Sequence, residues 1–440
     1  MIPNELRELQ SNGVVGAGGA GFPTYAKLLR PVEVVVVNAA ECEPLMHKDK
    51  EILRNYPNEV LAGLKTVMNL ARAKQGIIGI KNKYLDVIIQ VGPLIQEPIR
   101  IHPLGDYYPT GDEFVLVKET VGRIIPPGSL PLDVGVVVCN VETLWNISRK
   151  TPVVEKFLTV AGAVAHPCTL RVPVGISYAE IIAAAGGPTE TSYQLLIGGA
   201  MMGTLETDPS RPVTKTCGGF LVLPTNHPLI KRRTYSPQVL NRIGKAACDQ
   251  CSFCTELCPR YLLGHPIEPH QAMRGLAFCT DEVGMIPGTE FCCECNLCSL
   301  YSCPEGLDPK HVCVQSKQKI LSSGGKHPLR GQLCAAHPLA DGRKTPLPRL
   351  IRRLGLQQYP NHGPLRLELL ETGRVVLPRK QHIGAIAQAV VRVGQRIAKG
   401  AVVAAVKEDQ LGVSLHASIS GRVMAIDPDI VIQTENPTIG

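Results

Sequence analysis

Apolar and polar positions alternate along this chain in blocks that change period several times. An amino-terminal helix precedes a glycine-rich loop, a short helical segment at 25–29 and an unbroken apolar strand at 32–37. A strand buried on both faces reads as a continuous Val/Ile run, not as an alternating one. Helical spacing returns at 58–73, an apolar run at 85–91 reads as a strand, and a helix at 114–121 precedes a strand at 134–138. Strands alternating with helices predict an α/β sandwich. From 151 the order becomes strand 156–160, strand 169–172, helix 178–185 and strand 193–197, with another strand at 219–223. That ββαβ order suits a small β-grasp module. Helices at 271–278 and 309–321 flank a cysteine-rich stretch, and 347–354 forms a short helix within a Pro/Gly/Arg/Lys-rich linker. After 374 the elements are short strands punctuated by Gly394, Gly400, Gly412 and Gly421.

Composition narrows the classes. A chain of 440 residues predicts two to four domains. Aromatic residues make up 4%, with the single Trp145, which argues against base-stacking platforms and hence nucleic-acid partners. No run of 18 or more apolar residues predicts a membrane span. The start, MIPNELRELQ, has neither a basic n-region nor an apolar h-region. The net charge of +8 is uneven: between Lys326 and Lys380 there are eleven Lys/Arg against three Asp/Glu, with Arg349, Arg352 and Arg353 clustered. Such a patch suits an anionic cofactor, an acidic protein or simple solvation.

The sixteen cysteines carry the sharpest signal. Cys248-x2-Cys251-x2-Cys254-x3-Cys258-Pro259 has the spacing that wraps a [4Fe–4S] cluster, and Cys292-x2-Cys295-x2-Cys298-x4-Cys303-Pro304 repeats it with one extra residue. In two-cluster ferredoxins the Cys before Pro ligates the other cluster. Crossed ligation is therefore expected: Cys248, Cys251, Cys254 and Cys303 for cluster one, and Cys292, Cys295, Cys298 and Cys258 for cluster two. Cys293 is an alternative ligand should the pairing be shifted. Structural zinc fits less well, because a third Cys at x2 followed by Cys-Pro is not a zinc pattern. The remaining thiols (Cys42, Cys139, Cys168, Cys217, Cys279, Cys313, Cys334) read mostly as small buried hydrophobes. His47, His265, His270 and His382 read as structural or surface residues, and Met201-Met202 as packing.

Five glycines lie between positions 13 and 21, ahead of a helical segment. Such a loop lets backbone N–H groups approach a phosphate. Three strand-end loops carry amides or carboxylates: Asn38-Ala-Ala-Glu-Cys-Glu-Pro44, Tyr108-Pro-Thr-Gly-Asp-Glu113 and Cys139-Asn-Val-Glu-Thr143. Strand carboxyl ends are where open α/β sheets bind ligands.

Taken in order, Gly16-Ala-Gly-Gly-Ala-Gly-Phe-Pro-Thr24 with Lys27, Asn38–Pro44, Gly111-Asp-Glu113 and Asn140–Thr143 resemble the flavin-binding subunit of respiratory complex I and the C subunit of Rnf-type complexes. The resemblance implies FMN held non-covalently, with NADH as electron donor. Gly16, Gly18, Gly19 and Gly21 would cradle the cofactor phosphates. Lys27, Asn38, Glu113, Asn140 and Thr143 would contact FMN. Phe22 would stack on NADH and Glu43 would bond to it. Ala40 and Cys139 depart from the complex I pattern, which has an acid and an Asn there. The β-grasp module resembles the soluble-ligand-binding β-grasp domain of the same family. The carboxy-terminal strands, with Gln381-His-Ile-Gly384 and His416-Ala-Ser-Ile-Ser-Gly421, resemble the barrel-sandwich module of the Rnf C subunit.

The expected architecture is thus multidomain α/β: a flavin-binding α/β sandwich (1–150), a β-grasp domain (151–235), an α-helical two-[4Fe–4S] ferredoxin-like domain (236–322), a basic linker (323–373) and an all-β barrel-sandwich hybrid (374–440). That order, and the Cys248–Pro266 stretch with its companion 291–298, resembles the cobalamin reductases of propanediol-utilisation microcompartments. The resemblance implies a corrinoid substrate and a cytoplasmic, microcompartment setting, with a corrinoid adenosyltransferase and shell proteins as partners. No Asp-x-His-x-x-Gly corrinoid motif is present. The alternative is an electron-transfer protein of the Rnf type that serves a partner protein.

Overall fold

A computed structural model describes residues 3–278, 285–407 and 409–435. Four parallel strands form the first sheet: β1 (Val34–Ala39), β2 (Gln75–Lys81), β3 (Ile99–Leu104) and β5 (Val136–Asn140), in the order β3-β2-β1-β5. Val35, Val36 and Val37 of β1 are fully buried, as a central parallel strand requires. Helices Pro57–Leu70 and Val141–Arg149 cover one face. They approach so closely that a Cβ on Gly63 would lie 2.0 Å from the Leu144 carbonyl oxygen. Helix Glu113–Val121 packs on the other face.

One expected strand is corrected. The run Leu85–Val91 is a helix, with Val87 and Val91 buried one turn apart while Leu85 and Ile89 face solvent. Its β-branched content suggested a strand, but its apolar positions serve two faces at helical spacing. The strand is upstream, at β2, where Gly76 and Gly79 interrupt the apolar run.

The β-grasp sheet contains β6 (Glu155–Gly162), β7 (Cys168–Pro173), β8 (Tyr193–Ile197), β9 (Thr204–Glu206) and β10 (Gly219–Pro224). Its sixth strand comes from the segment read as a linker. The short β11 (Thr345–Pro346) pairs with β4 (Tyr107–Tyr108) of the flavin-side domain, and β12 (Leu365–Leu369) pairs with β7. Helix Leu347–Arg353 buries Leu347, Leu350 and Ile351 against Leu45, Tyr108 and Leu229. Residues 323–373 are therefore a strap across three domains. Pro and Gly fitted a linker equally well; the buried apolar face of the short helix decides otherwise.

The carboxy-terminal module has two sheets, β13 (Arg374–Leu377), β15 (Arg396–Ile397), β18 (Gly421–Ala425) and β19 (Ile430–Gln433) against β14 (Gln388–Ala389), β16 (Val402–Ala405) and β17 (Leu415–His416). Their apolar inner faces form one core. No described helix is long and apolar enough to cross a membrane.

Candidate functional site

The carboxyl ends of β1 and β5 bring two predicted residues side by side: Asn38 and Asn140 are register partners in the parallel pair. Asn38 Nδ2 donates to Gly111 O at 2.8 Å, and its Oδ1 accepts from the Ala40 N–H. Asn140 caps helix Val141–Arg149 by accepting from Glu142 N, and its amide donates to Asp49 at 2.8 Å. Both are thus fixed by local bonds that leave them at the sheet edge.

The glycine loop arches over this edge. Gly16 N bonds to Phe22 O at 2.9 Å and closes the loop, and Thr143 Oγ1 accepts from Ala17 N at 2.9 Å. Gly18, Gly19 and Ala20 are exposed. A Cβ on Gly18 would meet the Asn140 side chain at 3.5 Å, whereas Gly19, at φ +111°, faces open space. A side chain at Gly19 would strain the backbone, while Gly18 packs on Asn140 at ordinary contact distance. Below the loop, Lys48 is 1% exposed; its Nζ reaches Ala17 O at 3.2 Å, Asn140 Oδ1 at 3.3 Å and Glu142 at 2.9 Å. Burial alone would lower its pKa, but Asp49 and Glu142 outweigh that and hold it above its ordinary value. Lys27 lies 3.4 Å from Glu113, the first residue of helix Glu113–Val121, and also donates to Val138 O. An edge with exposed main chain at Gly18, Gly19 and Ala20 and with Lys27 beside it fits the phosphate and polar rim of a flavin nucleotide.

Phe22 is half-buried at the loop's end. Glu43 is engaged elsewhere: its carboxylate accepts from Met201 N and Met202 N, both at 2.9 Å, on the β-grasp loop 198–203. Burial raises its pKa to about 7, against the downward pull of those N–H groups. Arg233 holds the same loop through Ala200 O at 2.6 Å, and Asn296 Nδ2 donates to Met201 O at 3.0 Å. The Met201-Met202 pair thus serves Glu43 through its main chain.

The cysteines gather into two groups. Cys248, Cys251, Cys254 and Cys303 line one cavity, together with His270 and Met273. Cys258, Cys292, Cys295 and Cys298 line a second, with Cys293 and Cys313 also on its wall. The two loops share one backbone shape. Gln250 and Ser252 have φ of +61° and +67°, and Glu294 and Asn296 have +60° and +66°. These non-glycine residues flank the middle Cys of each run, so Cys293 occupies the position of Asp249. Left-handed backbone costs each about 1 kcal/mol or more, so the shape is over-determined by its surroundings. The extra residue of the second run is absorbed in a π-helical turn, Cys298–Ser302, after which Cys303 (φ −74°, ψ 118°) matches Cys258 (φ −67°, ψ 120°). Burial pushes the Cys254 and Cys258 thiols up to about 12. Such sulfurs become thiolates at neutral pH when a metal takes the proton's place.

The other cysteines divide as follows. Cys139, Cys168 and Cys217 are buried, and Cys42 and Cys334 are half-buried. Cys279 lies outside the described residues. Three of the four histidines are tied by hydrogen bonds, His265 to Ile125 O, His270 to Thr255 and His382 to the Val413 N–H, while His47 is buried with neither ring nitrogen paired among the described residues.

Two contacts that sequence reading missed join the flavin-side loops to the second cavity. Tyr108 Oη donates to Cys295 O at 2.7 Å. Arg260, two residues after Cys258, forms a bidentate pair with Asp112 at 2.5 and 2.9 Å and lies over the Phe114 ring. Tyr108 and Asp112 sit in a strand-end loop and Arg260 follows the first cysteine run, but each partner is more than a hundred positions away. Cations also meet the main chain of the cysteine loops: Lys317 donates to Cys292 O at 2.8 Å, Arg232 to Ser299 O at 3.1 Å and Arg353 to Cys303 O at 3.1 Å.

Comparison with known proteins agrees with this division. The Nuo51 FMN-binding domain family matches residues 9–149, the SLBB domain 157–205, the 4Fe-4S dicluster domain 247–308 and the RnfC barrel sandwich hybrid domain 364–439. The chain is 41% identical to the cobalamin reductase PduS of Salmonella typhimurium, over 97% of this chain and 96% of that one. It is 40% identical to the PduS of Citrobacter freundii over 96% and 94%. The C subunit of the Na(+)-translocating ferredoxin:NAD(+) oxidoreductase complex of Acetobacterium woodii is 32% identical over 57% of this chain and 56% of that protein. With full-length identity of that order, and with all four domains in place, the chain belongs to the PduS cobalamin reductase family.

Proposed function

We propose that this chain takes electrons from NADH at the strand-end site and delivers them to the cobalt of a corrinoid, in the order FMN, cluster two, cluster one. The observation that carries the order is that Tyr108 and Asp112 reach the wall of the second cavity, Tyr108 through the Cys295 carbonyl and Asp112 through Arg260, which follows Cys258. Cluster two is therefore the one beside the flavin domain. Cluster one lies outward, where Asp249 and Phe253 are exposed.

In this reading Cys248, Cys251, Cys254 and Cys303 hold cluster one, and Cys258, Cys292, Cys295 and Cys298 hold cluster two. Gly16, Gly18, Gly19 and Gly21 give main-chain groups to the nucleotide phosphates. Lys27, Asn38, Glu113, Asn140 and Thr143 form the flavin rim; Phe22 stacks on the nicotinamide nucleotide, and Glu43, whose two oxygens each keep an acceptor site beyond the Met201 and Met202 N–H bonds, accepts from it. When bound, FMN converts a two-electron hydride donor into a source of single electrons for the clusters. The chain's own residues do the rest. Lys317, Arg232 and Arg353 place positive charge on the carbonyls of the cysteine loops, which favours the more negative, reduced state of a cluster. Tyr108 and Arg260 fix the distance across which electrons pass.

The name that the full-length relatives carry, cobalamin reductase, supports the corrinoid as acceptor. The setting we propose is a propanediol-utilisation microcompartment in the cytoplasm, with a corrinoid adenosyltransferase and shell proteins as neighbours. A second reading, delivery to a partner protein, is favoured by apolar exposure on the cluster domain, where Phe253 is 49% and Phe278 83% exposed. Rapid mixing of the FMN- and iron–sulfur-loaded protein with NADH, followed by freeze-quench EPR, tests the order. Cluster two signals must rise before those of cluster one; the reverse order overturns the proposed path.

A further inference from the structure

The glycine loop is open at its tip and held at both ends by other domains. At its start, Lys215 Nζ donates to Gly13 O at 3.0 Å and to Ser414 O at 3.2 Å. Lys215 comes from the β-grasp domain and Ser414 from the carboxy-terminal sandwich. The lysine is 3% exposed, and its own N–H donates to Gln381 of the sandwich at 2.9 Å. Lys156 Nζ fixes the Lys215 carbonyl at 3.2 Å. Beside it, Gln10 on the first helix exchanges bonds with Gly412 O and Ser414 N, and Val413 is buried in the core of the flavin-side domain.

At the loop's far end, Ile383 N of the sandwich donates to Gly21 O at 3.0 Å. The fit is tight at both points. A Cβ on Gly13 would lie 2.5 Å from Lys215 Nζ, and one on Gly21 would lie 2.6 Å from Thr216. Both glycines have positive φ, +73° and +65°, where any side chain would strain the backbone. Between the two clamps Gly18, Gly19 and Ala20 keep their main chain exposed.

A loop of five glycines among nine residues would sample many shapes on its own. Holding its ends in advance removes an ordering cost that ligand binding would otherwise carry. The clamp consists of main-chain carbonyls and buried donors, not of groups that reach the ligand.

We propose that the carboxy-terminal sandwich and the β-grasp loop are working parts of the flavin site, with Lys215 as the positioning residue that keeps the glycine loop in its ligand-ready shape. This rests on the FMN reading above.

The test is FMN titration by fluorescence quenching into the full chain with its clusters in place, for wild type, Lys215→Met and Lys215→Arg. Lys215→Met should raise the FMN Kd about tenfold or more, the scale of one lost hydrogen-bonded contact. Iron and sulfide content and the cluster EPR spectra should stay unchanged, and Lys215→Arg should recover most of the affinity. An unchanged Kd in Lys215→Met overturns the proposal while leaving the flavin reading intact. Wild type that binds no FMN overturns the flavin reading itself. Should Lys215→Met fail to fold, Ile383→Pro in its exposed turn removes the donor to Gly21. It must raise the Kd with cluster content unchanged, and an unchanged Kd there is equally fatal.

Discussion

The phenol of Tyr108 donates to the main-chain carbonyl of Cys295 at 2.7 Å, and Tyr108 is 2% exposed. Tyr108 lies in β4, whose pairing with the strap residue Thr345 holds it from behind. One hydrogen bond thus ties the strand-end loops of the flavin-side domain to the middle cysteine of the second run. Tyr108→Phe leaves the Cys295 carbonyl buried and unpaired, at a cost of about 1–3 kcal/mol. In that variant NADH should still reduce the flavin at the wild-type rate while cluster reduction slows. Stopped-flow absorbance resolves the two phases.

Crossed ligation makes an asymmetric prediction. Cys258 stands in the first run but on the wall of the second cavity. Cys258→Ala should therefore strip cluster two and spare cluster one, lowering iron from about eight to about four per chain. EPR of the reduced variant should retain the signal that Cys303→Ala removes. Loss of the cluster one signal in Cys258→Ala would show that each run serves its own cluster.

Arg260 and Asp112 form a bidentate pair at the seam between the domains, with side chains 8% and 16% exposed. Breaking such a buried pair from one side costs about 3–5 kcal/mol, because the remaining charge is stranded. Arg260→Met should lower stability by that order in anaerobic denaturant unfolding. Asp112 also caps helix Glu113–Val121 by accepting from Phe114 N and Val115 N. Asp112→Ala therefore loses a cap worth about 1 kcal/mol in addition.

Glu43 gives a pH signature. Burial lifts its carboxyl from an ordinary 4.5 to about 7. A group whose pKa is raised by folding stabilises the folded state fully below its unfolded value and loses that contribution as pH climbs through the folded one. Wild type should therefore lose stability relative to Glu43→Gln between about pH 4.5 and pH 7. The KM for NADH should also bend near pH 7 in wild type and stay flat there in Glu43→Gln, which initial-rate measurements across pH would reveal.

What the sequence discloses follows from how local each signal is. Both cysteine runs and the strand-end motifs are legible because ligand spacing and glycine content are written within a few residues. The apolar run at β1 is legible for the same reason. The run at Leu85–Val91 misleads because β-branched residues serve a short amphipathic helix as well as a strand. Lys48, Lys156 and Lys215 escape notice because lysine is expected at the surface. Only the packed structure places them at 1%, 1% and 3% exposure, under or beside the glycine loop. The strap at 323–373 and the return of the sandwich onto residues 10–21 are long-range events, and nothing in their local composition announces them.

The proposed path takes electrons within one chain from NADH through flavin and clusters to cobalt. The most direct measurement is an anaerobic one: the full chain loaded with FMN and iron–sulfur clusters, mixed with NADH and cob(III)alamin, and followed by visible and EPR spectra against the same protein stripped of FMN. The flavin should bleach, the clusters should gain spin and the corrinoid band should shift to that of cob(II)alamin, with the stripped protein inert. If flavin and clusters are reduced while the corrinoid band does not move, the path does not reach cobalt and the chain is an electron carrier for another protein.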